Sequence, residues 1–75
     1  MPEIIIDACG HLCPVPTLKL RRVWATAAPG TVLTLIADDP MARIDAPHFA
    51  ADVGMTVLAI TLSGKTATIR LQKPA

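Results

Sequence analysis

Ile4-Ile5-Ile6-Asp7-Ala8-Cys9-Gly10-His11-Leu12-Cys13-Pro14-Val15-Pro16 decides how this chain is read. Three consecutive isoleucines are strongly β-prone and predict a short buried strand over residues 3–8. Leu18-Lys19-Leu20-Arg21-Arg22-Val23-Trp24 follows, and Leu20, Val23, Trp24 and Ala27 recur at the spacing of one apolar helix face. Cys13 therefore falls at a strand-to-helix junction. Pro14 suits the first helical position, where a missing N–H costs nothing, and Pro16 still lies within the tolerated first turn. Cys13 is then the expected N-cap, facing unpaired backbone N–H groups and the positive end of the helix dipole. That setting favours the thiolate, which is the nucleophilic form.

Outward from this junction, Pro29-Gly30 ends the first helix. Thr31–Ala37 reads as a second strand, bounded by Asp38-Asp39-Pro40. Pro47 argues against an unbroken helix from residue 40 to 53. The pattern instead predicts Asp45 as N-cap, Ala46 and Pro47 in the first turn, and Phe49, Ala50 and Val53 on the buried face. Residues 40–44 are expected to be a turn or a single helical turn, and Gly54 to be the left-handed stop. Met55–Leu62 and Ala67–Lys73 read as strands around the Ser63-Gly64-Lys65-Thr66 turn. Ala67, Ile69 and Leu71 point inward, and Val57 and Ala59 are expected on an outer face with room for association. The order βαβαββ predicts an α+β fold: a two-layer sandwich with a four-stranded sheet and both helices on one face. Residues 1–75 make one expected domain, with no repeat or linker.

Composition narrows the function. Hydrophobic residues make up 52% of the chain and charged residues 17%, which excludes a disordered chain. A net charge of +1 and 3% aromatic residues count against nucleic acid and anionic membrane as partners. No apolar stretch approaches the length of a membrane span, and Met1-Pro2-Glu3 does not open like a signal peptide, so a cytoplasmic location is expected. Free or reactive thiols are then a better reading of Cys9 and Cys13 than a structural disulfide. Their spacing differs from the Cys-x-x-Cys redox motif. With His11 they are too few for a closed zinc site, so no metal or cofactor is expected.

Asp7-Ala8-Cys9-Gly10-His11-Leu12-Cys13-Pro14-Val15-Pro16, with Leu18-Lys19 and Arg21-Arg22, resembles the signature of the TusA-like (SirA/TusA) sulfur carrier family. That family's core motif is Cys-Pro-x-Pro opening a helix, shortly after Asp-x-x-Gly. The resemblance continues through Asp38-Asp39-Pro40, Asp45-Ala46-Pro47-His48-Phe49 and Gly54. It implies a mixed sheet whose last strand runs antiparallel, and it implies that Cys13 carries sulfane sulfur as a persulfide. It also implies a sulfur donor (a cysteine desulfurase or rhodanese-like protein) and a downstream acceptor in tRNA thiolation, cofactor assembly or sulfur oxidation. Such transfer is sulfurtransferase-type chemistry by a carrier that must be recharged.

The supporting residues are Pro14, Pro16, Gly10 and, less firmly, Cys9. Many family members place Arg where this chain has Cys9. Here Cys9 would either resolve a persulfide on Cys13 or end the strand half buried and inert, and the second reading is favoured. His11 replaces the family's usual Leu and is read as solvated. Lys19, Arg21 and Arg22 are candidates for partner docking, although a solvated helix face needs no partner. Two other classes stay open: a thiol redox or regulatory protein using Cys9 and Cys13, and a non-catalytic interaction module.

Overall fold

The computed structural model of the protein describes residues 3–10 and 15–74, the side chain of Val15 excepted. The elements are β1 (Glu3–Asp7), α1 (Val15–Thr26), β2 (Val32–Ala37), α2 (Ala42–Val53), β3 (Thr56–Ser63) and β4 (Thr66–Gln72). They form one four-stranded sheet in the order β1-β2-β4-β3. β1 and β2 pair in parallel, while β4 lies between β2 and β3 and is antiparallel to both. This is the α+β fold and mixed sheet that the residue pattern and the family resemblance lead one to expect.

Alternation along the strands sets the core. Leu33 pairs with Leu71 and Leu35 with Ile69, so these four side chains share one face of the sheet. All four are fully buried, in one cluster with Leu20 of α1 and with Ala46, Phe49 and Ala50 of α2. Both helices therefore cover the same face. The Trp24 and Phe49 rings meet edge to face at 5.8 Å between the helices, and Trp24 and Val23 pack on the cluster's margin. Lys73, just beyond β4, donates through Nζ to the carbonyls of Trp24 and Ala27, each at 2.8 Å, and so caps the end of α1.

Three expectations need correction. β1 is an edge strand, not a buried one: Ile6 faces the core, but Ile5 pairs with Thr34 on the open face and is 66% exposed. Three isoleucines suit an edge as well as an interior, because sheet order is not written in a strand's own residues. β3, the other edge, is exposed along its whole length. Val57 pairs with Leu71 on the helix-side face and Ala59 with Arg70 on the open face, with an irregularity at Leu58 between them. The two residues are therefore on opposite faces, as expected of a β-bulge.

The third correction concerns α2, which starts at Ala42 rather than after Asp45. Asp39 supplies the start: its Oδ1 accepts the Met41 N–H and its carbonyl accepts the Ala42 N–H, both at 3.0 Å. That is an Asx-type turn with Pro40 at its centre. Pro47 sits inside the helix, where its ring denies the Arg43 carbonyl an i+4 donor. Arg43 is exposed, so water can take that place. Gly54 ends the helix as expected, at φ +77°, donating its N–H to the Ala50 carbonyl.

Candidate functional site

The parallel pair β1–β2 brings the ends of both strands together, and the cysteine-bearing loop leaves from there. The ladder continues one residue past β1, with the Ala8 N–H donating to the Ile36 carbonyl at 2.8 Å. The Cys9 N–H then donates to Asp7 Oδ1 at 3.0 Å. Gly10 turns the chain at φ +83°, a conformation that L side chains resist. Its N–H donates to both carboxylate oxygens of Asp38, each at 3.0 Å, across 28 residues of sequence. From α1, Lys19 Nζ donates to the Asp7 carbonyl at 3.2 Å. Residues 7–10 are thus held from β1, from β2 and from α1.

Cys13 and Pro14, together with His11, lie outside the described residues. Their flanks are described: Gly10 is anchored on Asp38, and Pro16 is fully buried in the first turn of α1. Cys9 is exposed beyond the strand end, not half buried as expected. Its thiol is nevertheless held above the ordinary range. The chain packed around the sulfur partly desolvates it, the Asp7 carboxylate accepts a hydrogen bond from it, and the charges of Asp7 and Asp38 disfavour a third anion.

The three basic residues of α1 make different contacts. Lys19 and Arg21 flank the buried Leu20, one reaching the Asp7 carbonyl and the other placing its guanidinium 5.2 Å from the centre of the Phe49 ring. Arg22 is exposed. In the sequence Asp38 only bounds the second strand, and Arg43 and Lys65 carry no motif. A cavity of about 440 Å³ lies at the same end of the sheet, between Asp38 and Pro40 on one side and Leu62 and Lys65 on the other, with Arg43 at its wall. An acidic residue directly after one parallel strand, level with a glycine after its neighbour, was the available signal for Asp38. No comparable signal marks Arg43 or Lys65.

A strand end and a left-handed glycine pinned by a carboxylate precede the Cys-Pro-x-Pro stretch, and its last residue, Pro16, is buried in the first turn of α1. A family model described as Sulfurtransferase TusA matches residues 4–73, from β1 to the residue after β4. The chain belongs to the TusA family. A Sulfur carrier protein TusA from Pseudomonas paraeruginosa is 40% identical over 52 residues, covering 69% of this chain and 66% of that protein, just under two thirds of its length. The protein of that name from Pseudomonas putida (strain F1) is 39% identical over 57 residues, covering 76% of this chain and 71% of the relative. Among solved structures, a SirA-like protein from Desulfitobacterium hafniense superposes with a TM-score of 0.82. That match covers 95% of this chain and 97% of the other at 20% identity, and it speaks for the fold. No helix among the described residues is long and apolar enough to cross a membrane.

Proposed function

We propose that the chain is a sulfur carrier that holds sulfane sulfur as a persulfide on Cys13. The observation that carries this reading is the family match running through the Cys-Pro-x-Pro stretch. In loading, the Cys13 thiolate attacks the terminal sulfur of a donor persulfide, R–S–SH. A new S–S bond forms at Cys13, the donor's S–S bond breaks, and R–S⁻ leaves with the bonding electrons. No net oxidant is needed. In delivery, an acceptor thiolate attacks the terminal sulfur of Cys13–S–SH and frees the Cys13 thiolate. A helix N-terminus favours the thiolate at both steps.

The expected donor is a cysteine desulfurase or rhodanese-like protein in the cytoplasm. The acceptor belongs to tRNA thiolation, cofactor assembly or sulfur oxidation, and neither nucleic acid nor membrane is a direct partner. Cys9 fits the role of a resolving thiol poorly, because its surroundings disfavour its thiolate. The test is intact mass and peptide mapping after loading with a polysulfide. About one added sulfur on Cys13 and none in Cys13→Ser supports the reading. Sulfur on Cys9, or undiminished transfer by Cys13→Ser, overturns it.

A further inference from the structure

We propose that Asp38 is a specificity-determining residue for sulfur loading, anchoring the loop through Gly10 while denying the load to Cys9. The proposal rests on the carrier reading above and adds a residue to it.

Two thiols four positions apart in one loop pose a problem for a carrier that must hand its sulfur on from a fixed place. If both load, half the sulfur sits where an acceptor docked on Cys13 cannot take it. If one attacks the other's persulfide, the sulfur leaves as sulfide and a disulfide remains. The fold places one device against both outcomes. Asp38 Oδ1 and Oδ2 both accept the Gly10 N–H at 3.0 Å, so the carboxylate is directed at the loop.

A side chain added at Gly10 would meet nothing within 4 Å among the described residues. The backbone angle favours glycine, and that angle turns its N–H to Asp38. On the other side of Cys9, Asp7 Oδ1 accepts the Cys9 N–H at 3.0 Å. Cys9 thus lies between two carboxylates, one from its own strand and one from the neighbouring strand. Desolvation raises its thiol first, the hydrogen bond and charge of Asp7 add to that, and the Asp38 charge adds last.

Among the described residues, Lys19 reaches this group from α1 and donates to the Asp7 backbone carbonyl at 3.2 Å, while Arg43 and Lys65 line the cavity beside Asp38. Both carboxylates take backbone N–H donors, and the loop gains an anchor from the same groups that keep Cys9 a thiol. Only thiolates attack, so the collar leaves Cys13 to take the sulfur.

The test separates the two roles of Asp38 and does not depend on the carrier reading. In a Cys13→Ser background, the pH dependence of Cys9 alkylation by iodoacetamide is measured at low salt, with Gly10 amide exchange followed by NMR. Asp38→Asn keeps an oxygen that can accept the Gly10 N–H but removes the charge. Its Cys9 profile is expected to move to lower pH, with the rate near neutrality rising about threefold or more, while Gly10 stays protected. Asp38→Ala removes both, and Gly10 exchange is expected to rise about tenfold or more. Asp7→Asn tests the same collar from the other side should an Asp38 variant fail to fold, and its Cys9 profile should move the same way. With both cysteines present, polysulfide loading of Asp38→Asn should spread from Cys13 onto Cys9. An unmoved Cys9 profile in Asp38→Asn, no spread of sulfur onto Cys9 in that variant, or unchanged Gly10 exchange in Asp38→Ala, overturns the proposal. Failure of Cys13 to load in the otherwise unaltered protein would instead sink the carrier reading and leave the alkylation result standing.

Discussion

Lys73 Nζ lies 5.1 Å from the centre of the Trp24 ring while donating to the Trp24 backbone carbonyl at 2.8 Å. One ammonium group thereby closes the end of α1, which has no basic residue of its own in its last turn, and covers the indole face. Replacing it with Met keeps the apolar stem but leaves the Trp24 and Ala27 carbonyls without that donor. Lys73→Met should lower stability by about 1–2 kcal/mol. Urea unfolding checks this, and an unchanged midpoint would show that water replaces the ammonium without loss.

Gly10 offers a cleaner measurement of backbone strain, because a methyl group there would touch nothing among the described residues. Gly10→Ala should cost about 1–2 kcal/mol from its positive φ alone. The same substitution should slow loading of Cys13 from a polysulfide. Full stability together with a full loading rate would mean that the loop has another acceptable path.

The corrected start of α2 turns Pro47 into an interior helix residue. Pro47→Ala restores a donor for the Arg43 carbonyl and relieves the ring's clash, against a gain in unfolded-chain freedom. A net stabilisation of about 1 kcal/mol is expected. Thermal unfolding of the variant reads the sign directly, and a lower melting temperature would mean that the half-buried ring contributes more packing than the backbone loses.

The basic residues of α1 should separate by position. Arg22→Glu should leave stability unchanged and slow sulfur transfer from a donor protein at low salt, with the loss shrinking as salt rises. Arg21→Glu should also slow transfer, and it should lower stability by about 0.5–1 kcal/mol, since its guanidinium lies over the Phe49 ring. Equal stability effects at the two positions would deny that distinction.

The order of elements was legible because each apolar run is bounded by strong turn residues, such as Pro29-Gly30 and Gly64-Lys65. What was not legible depends on partners brought in from elsewhere. The start of α2 is set by Asp39, whose carboxylate and carbonyl are both spent on the helix that follows, so the local rule about Pro47 misplaced the cap. The edge position of β1 follows from β4 taking the place beside β2, which the Ile4-Ile5-Ile6 run cannot announce. In the sequence Gly10 stands out beside the cysteines and Asp38 as the boundary of the second strand, with nothing to link them. Their bond joins positions 28 apart and becomes visible only once the strands are parallel and adjacent.

The place of β4 in the sheet also governs the order in which the molecule can fold. Residues 66–72 insert between β2 and β3, with Leu35 paired to Ile69, so nearly half the chain separates these partners. Until residues 66–72 dock, β1, α1 and β2 can assemble, but β3 has no neighbour and α2 lacks Ile69 and Leu71 beneath it. Long-range pairing of this kind is slow and leaves apolar edges exposed meanwhile. The folding chain therefore has no native sheet edge to offer β3 until β4 is in place. Chaperones that meet this protein should meet it during that interval, with the β4-facing edge of β2 unpaired and Leu33 and Leu35 without their partners.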